Sequence, residues 1–340
     1  MTVWDGGDVR SGARVPMEVS CHDAVQRTRL PGRPIPQVAG LRKHVVHDKF
    51  MMYTMYVGFS KYGDLSSSVA DYRYAGNDSF LPEPFLYHVF KSTAETGLAM
   101  EQANYPDRDY VIVHRDPKCG NIFLDTESHD NFPKYPTTRL GDFGLAIKTF
   151  NDDDFNPLIF KDGIGTEGFK APEQCHFVDR DTRDPVDEFK LLSHTNVYGI
   201  GKIMWCLLAT DNEPEQPQWL EDDRTTFDST LIAKSPFNEE LVDLVTACLE
   251  FDPADRPSFT EILTTIETHL DVNGQNLAQG MQSPDAMDQD DYDLKFLQND
   301  KWALWTCCAS PATTVELWHN DIPLSTVRKV HLMPPNSGHV

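Results

Sequence analysis

The sequence is short of positive charge. Thirty Lys and Arg stand against 53 Asp and Glu, a formal balance of −23 over 340 residues. Nucleic acid and anionic membrane both demand a basic surface, so this balance argues against either as a non-specific partner. None of the seven cysteines forms a C-x-x-C pair, and the adjacent Cys307 and Cys308 have no metal-ligand spacing around them. Nothing approaches the 18 or more consecutive apolar residues of a membrane span. No basic flank followed by an apolar stretch opens the chain. The expectation from these absences is a soluble intracellular protein, cytoplasmic or nuclear. Two further gaps concern chemistry. No lysine precedes Lys43, and Gly6, Gly7 and Gly12 do not have the spacing of a phosphate-cradling glycine loop.

Apolar material for a core is present, with 40% hydrophobic residues, six Trp and nineteen Phe. Residues 1–16 are Gly- and charge-rich and read as an unstructured leader, with a hint of helix from Met17 to Val25. "KFMMYTMYVGF" reads as a buried strand and "SKYGDL" as the turn after it. Phe85, Leu86, Val89, Phe90, Ala94 and Leu98 recur at helical spacing behind Pro82 and Pro84. Three short apolar segments follow, "YVIVH", "NIFLD" and "TTRLGDF", set between polar turns. "TNVYGIGKIMWCLL" is apolar almost all round and predicts a buried central helix. "NEELVDLVTACLEF" puts Leu241, Leu244, Val245 and Cys248 on one face, and Ser258 with Glu261 has capping-box spacing. Residues 270–340 form an acidic tail expected to be mostly disordered, with one Trp-containing patch, "KWALWTCCAS".

Phosphoryl transfer to a hydroxyl needs a carboxylate to orient and accept the proton, ligands for magnesium, and positive charge near the transferred group. "VIVHRDPKCGNIFLD" carries His114, Arg115, Asp116, Lys118 and Asn121 in one loop, and "LGDFGLA" follows about twenty residues later. "GTEGFKAPE", "NVYGIGKIMWCLL" and "DPADRPSF" come next, in that order. Together these resemble the catalytic loop, magnesium motif, activation-segment end, central helix and closing motif of the eukaryotic protein kinase family, serine/threonine type. "FMMYTMYVGFSKYGDL" resembles the last small-lobe strand and hinge.

The resemblance covers residues 17–269 and implies an α+β, two-lobe kinase fold. Residues 17–59 would form an incomplete N-terminal β lobe without the glycine-loop and lysine strands, and 60–269 a mainly helical C-terminal lobe. It implies an ATP- and magnesium-dependent enzyme acting on protein hydroxyls. Asp116 would be the catalytic base, Lys118 would meet the transferred phosphate, and Asn121 and Asp142 would hold magnesium. Val57 falls at the gatekeeper position. Backbone groups of Gly58 and Ser60 would meet the adenine, with Asp64 near the ribose and Phe123 beneath the base. Thr166 would face the substrate and brace Asp116. Arg115 marks regulation through the activation segment, where Asp152, Asp153 and Asp154 offer negative charge, and Glu173 with Arg256 would be a structural ion pair.

Several positions depart from the family pattern. Glu18 stands where the family carries a helix-borne Glu, but with no lysine to meet it reads as a solvated helix residue. Pro117 follows the catalytic Asp in place of an aliphatic residue, fixing φ and removing an N–H. Asn196 replaces an Asp that accepts from the catalytic-loop backbone. The sheet, short of its first strands, would expose an unpaired edge and an apolar face. The alternative to an enzyme is therefore a catalytically impaired, truncated kinase or pseudokinase that acts as a protein-interaction module.

Overall fold

The computed structural model describes residues 15–47, 52–75, 80–103, 110–127, 132, 135–150, 156, 164–175, 190–215, 232, 236–282, 313–319 and 322–323. The described residues begin with helix α1 (Met17–Arg27) and the hairpin β1 (Leu41–His47) and β2 (Met52–Gly58), paired antiparallel. Helices α2 (Leu65–Ala75) and α3 (Glu83–Glu101) follow. Two short ribbons come next. β3 (Val111–Val113) pairs with β6 (Ile147–Thr149), and β4 (Ile122–Glu127) pairs with β5 (Pro136–Leu140), both antiparallel. The large lobe closes with α4 (Ser193–Ala209), α5 (Glu239–Cys248) and α6 (Phe259–Gln282). The fold is thus α+β, with small antiparallel ribbons packed against the helices. No helix among the described residues is long and apolar enough to cross a membrane.

Helix α3 is the spine of the large lobe. Its residues are buried on every side from Pro84 to Met100 apart from Lys91, because it packs against α4, α6, β3 and β5. Gly97 permits the closest of these contacts: a Cβ there would stand 2.3 Å from the Phe259 ring of α6. Helix α4 is buried from Thr195 to Leu208, as its unbroken apolar run requires. The cap signals act where the sequence places them. Asn238 accepts from the Leu241 amide at 2.8 Å to start α5. Before α6, Ser258 N donates to Glu261 Oε2 at 2.8 Å while Glu261 N donates to Ser258 Oγ at 3.3 Å.

Three features differ from the sequence reading. Helix α2 was not expected, since three serines interrupt its apolar face of Leu65, Val69 and Tyr72. Helix α6 runs to Gln282, past the boundary expected at residue 269. The β2 edge is also not open. A strand β7 (Thr313–His319) lies parallel to β2, in register from Tyr53–Thr313 to Gly58–Trp318. It turns back through β8 (Ile322–Pro323), giving the order β1-β2-β7-β8. An edge of unpaired N–H and C=O groups is a template for any available strand, and the chain's own tail supplies one. The patch at 301–310 lies outside the described residues, as does the leader up to residue 14.

Candidate active site

The β3/β6 and β4/β5 ribbons hold two loops face to face: 114–121, between β3 and β4, and 141–146, between β5 and β6. Helix α4 anchors the first from below. Asn196 Oδ1 accepts from the His114 amide at 2.9 Å, and its Nδ2 donates to the Ile112 carbonyl at 2.7 Å. The oxygen accepts as a carboxylate oxygen would, and the amide adds a bond that a carboxylate could not make. Pro117 is accommodated by Gly199 on the same helix, where a Cβ would stand 2.3 Å from the proline Cγ.

Asp116 is 6% exposed and its carboxylate is saturated with donors. Thr166 donates to Oδ1 through both its hydroxyl, at 2.6 Å, and its amide, at 2.8 Å. Lys118 Nζ lies 2.9 Å from Oδ2 and 2.8 Å from Thr166 Oγ1. Asn121 Nδ2 donates to the Asp116 carbonyl at 2.9 Å. These bonds fix one carboxylate, one ammonium and one amide around a single point, with Thr166 bonded twice to Asp116.

The second loop brings Asp142. Its backbone is left-handed, φ 57°, and its Oδ1 accepts from Gly144 N at 3.3 Å. Arg115 is likewise left-handed, φ 65°. Non-glycine residues in this region carry strain that the surrounding bonds must hold. For Arg115 those bonds are Nε to the Leu145 carbonyl at 2.6 Å and its own carbonyl accepting from Gln174 Nε2 at 2.8 Å. Arg115 thus ties the two loops together; residues 152–154, offered as its acidic partners, lie outside the described residues.

His114 links the loops a second time. It lies 3.0 Å by Nε2 from the Gly141 carbonyl and 3.4 Å by Nδ1 from the Asp116 amide, which sets the Nε2–H tautomer. Burial holds its pKa below the ordinary range, against the pull of Asp116 and Asp142. Its ring lies 4.9 Å from Phe143, and Phe143 lies 4.8 Å from His22 of α1.

Magnesium fits the donor set. With the Asn121 nitrogen committed to the Asp116 carbonyl, its Oδ1 is left as a hard oxygen donor, alongside the Asp142 carboxylate. Two protein ligands suit an ion whose other positions go to phosphate and water, and no group of three or more His, Cys, Asp or Glu able to hold a metal occurs among the described residues.

The residues expected around a nucleotide base are less uniform. Gly58 N already donates to the Gly40 carbonyl at 2.7 Å, and Gly58 also stands in register with Trp318 of β7, so its amide is already engaged within the sheet. Val57 is half-buried and Ser60 is buried beside it. Asp64 is occupied at the start of α2, accepting from the Ser67 amide at 3.1 Å and the Ser66 hydroxyl at 2.7 Å. Phe123 is buried at 2% exposure, and a Cβ on Gly141 would meet its ring at 2.4 Å.

Away from the chemistry, Arg256 grips Glu173 with two bonds, 2.7 and 2.9 Å, and both side chains are fully buried. Burial raises the Glu173 pKa, but Arg256 and His194 outweigh it and hold the carboxyl below its usual range. The sequence reading misjudged the environment of Glu18. Glu18 is not solvated: it is 5% exposed and accepts from the Tyr53 hydroxyl of β2. Burial raises its pKa to about 7, the Tyr53 bond opposes this, and Asp142 adds to it.

This arrangement of paired loops on a helical lobe defines a class. A model of the protein kinase domain matches residues 96–266, half of the chain, and the chain belongs to the protein kinase family. Human receptor-interacting serine/threonine-protein kinase 3 is 30% identical over 167 residues, 46% of this chain and 29% of its own. The probable serine/threonine-protein kinase nek2 of Dictyostelium discoideum is 25% identical over 238 residues, 67% of this chain and 48% of its own. The chain therefore spans less than half the length of these relatives. Glu18 and Tyr53 lie outside the segment that the kinase-domain model matches.

Proposed function

We propose that the chain is a protein serine/threonine kinase that transfers the γ-phosphate of ATP to hydroxyls of protein substrates, inside the cell. What carries this reading is the bonded set of Asp116, Lys118, Asn121 and Thr166. Asp116 orients the substrate hydroxyl and takes its proton as the oxygen attacks phosphorus and ADP leaves. Lys118, held 2.9 Å from Asp116, offsets charge on the transferred phosphoryl group. Thr166 and the Asp116 carbonyl contact of Asn121 keep the base from rotating. Bound between Asn121 and Asp142, magnesium would neutralise phosphate oxygens.

A second reading, an interaction module without catalysis, is favoured by one observation. Among the described residues, Glu18 makes its hydrogen bond to Tyr53 and meets no lysine or arginine. Loss of one preorganised donor at such a site costs on the order of 10²–10³ in rate.

The two are separated by a thermal-shift titration with ATP, with and without magnesium, beside Asp142→Asn. A magnesium-dependent shift that the variant loses supports the kinase, and phosphate transfer abolished by Asp116→Asn completes the case. A folded chain that gives no shift at millimolar ATP would sink the enzyme reading.

A further inference from the structure

Helix α1 touches the Asp142 turn at two points. The Glu18 carboxyl lies 3.9 Å from the point where a Cβ on Gly144 would stand, and Asp142 Oδ1 lies 3.1 Å from that same point, so the two acids flank Gly144. One turn along, His22 sits against Phe143 with 4.8 Å between ring centroids. The turn carrying Asp142 is thus packed against α1, in addition to its ties to the 114–121 loop through His114 and Arg115.

Helix α1 is seated by apolar contact and by hydrogen bonds along its length. Gln26 Nε2 donates to the Leu41 carbonyl at 3.1 Å while its Oε1 accepts from the Leu41 amide at 2.6 Å. Lys148 Nζ donates to Ser20 Oγ at 2.8 Å, and His22 bonds to the Ala39 carbonyl. Val19 packs with Tyr53 and Met55 of β2, and such contact is non-directional; it resists separation more than rotation or sliding. The bond from the Tyr53 hydroxyl to Glu18 is directional and buried at both ends. No lysine precedes Lys43, and Lys43 itself lies on β1 with its Nζ 6.0 Å from the Tyr56 ring centroid. The clasp on Glu18 is therefore a neutral donor from a neighbouring strand.

We propose that Tyr53 is a positioning residue: its hydroxyl holds Glu18, and through α1 it holds the Asp142 turn in the orientation that receives a metal-bound nucleotide. The inference rests on the kinase reading for its ligand but not for its geometry. A neutral donor has a consequence that a cation would not. Gln at position 18 offers the same acceptor oxygen, so the clasp survives loss of the Glu18 charge. The phosphate side of the site also becomes less acidic.

The test is amide hydrogen exchange on the nucleotide-free 340-residue chain, comparing wild type with Tyr53→Phe, Glu18→Leu and Glu18→Gln. Magnesium–ADP affinity is then measured at a temperature where all four are folded. Tyr53→Phe and Glu18→Leu are expected to speed exchange in 17–27 and 141–146 about tenfold, ~1.4 kcal/mol, and to weaken magnesium–ADP by a similar factor. Glu18→Gln is expected to exchange as wild type does and to bind magnesium–ADP at least as tightly.

Unchanged exchange in Tyr53→Phe would overturn the proposal. So would a Glu18→Gln variant as fast as Glu18→Leu. A uniform rise that includes 193–209 would mark lost global stability and overturn the positioning role as well. If the wild type itself does not bind magnesium–ADP, the kinase reading fails, while the exchange comparison still decides the clasp.

Discussion

Thr166 and Asp116 meet at a single oxygen: hydroxyl and amide of the one both donate to Oδ1 of the other, at 2.6 and 2.8 Å. The hydroxyl also accepts from Lys118 at 2.8 Å, so one side chain aligns the carboxylate and the ammonium together. Thr166→Ala removes that bridge and keeps the amide bond. A hydrogen bond to a charged group is worth ~1.5–3 kcal/mol, so the rate of phosphate transfer should fall roughly 10- to 100-fold. Thr166→Ser should recover most of it. Initial rates of phosphate incorporation into a mixed peptide library measure this, and equal loss in Ala and Ser would show that the hydroxyl is not the operative group.

The Glu173–Arg256 pair acts on stability. Arg256 also donates to the backbone carbonyls of His194, Glu250 and Phe251, at 3.0, 2.7 and 3.0 Å. Arg256→Ala would strand a buried carboxylate and cost ~3–5 kcal/mol. At about 2–4 °C per kcal/mol, Tm should drop by roughly 6–20 °C. Replacing both members by leucines should cost much less than either single change, because no charge is left behind. Calorimetry of the three variants decides it.

How much of this could be read from the sequence depends on how local each feature is. His114 to Asn121 and Leu140 to Ala146 are short loops whose chemistry is written in consecutive residues, and the structure joins them as expected. The capping box at Ser258 and the buried α4 also follow from local pattern. Glu18 was misread because its partner, Tyr53, lies 35 residues away on a strand that advertises only apolar burial. Helix α2 was missed because Ser66, Ser67 and Ser68 mask its Leu65–Val69–Tyr72 face. The β2 edge was read as open because a strand some 260 residues on leaves no local sign of where it pairs.

Asn196 yields a prediction against intuition. Asn196→Asp restores the residue type usual in the family, yet here the side chain both accepts from His114 and donates to the Ile112 carbonyl at 2.7 Å. A carboxylate would set two acceptors face to face in a buried site. The change should destabilise by ~1–3 kcal/mol. A chemical denaturation midpoint equal to or above wild type would refute the role given to Nδ2.

Pro117 and Gly199 form a size-matched pair, with 2.3 Å between the proline Cγ and a Cβ built on the glycine. Gly199→Ala alone forces either α4 or the catalytic loop to move, so it should destabilise and slow transfer despite the better helix propensity of alanine. Pro117→Ala frees that space, and the double variant should recover. A double-mutant cycle should show coupling of ~1–3 kcal/mol, since the two residues touch. Additive losses would mean that the helix, and not the contact, is what Gly199 serves.

Two neighbours on α1 respond to pH in opposite directions. Burial raises Glu18 from 4.5 to about 7, opposed by the Tyr53 bond and reinforced by Asp142. Burial lowers His22 from 6.5 to about 4, opposed by the bond to Ala39 and reinforced by His114. Between pH 4.5 and 7 folded Glu18 keeps a proton that the unfolded chain releases, so its contribution to stability falls as pH rises. Between pH 4 and 6.5 folded His22 refuses a proton that the unfolded chain binds, so its contribution rises with pH. The two largely cancel from pH 4.5 to 6.5. Glu18→Gln removes the falling component, so its stability should climb more steeply than wild type across that window, by an amount on the order of 2–3 kcal/mol, and its Tm with it. His22→Leu should do the reverse and lose stability with rising pH up to about 7, where Glu18 finishes ionising. Tm measured at half-unit steps from pH 4.5 to 7.5 for the three chains checks both signs at once. Parallel curves would mean that neither group is buried in the state that melts.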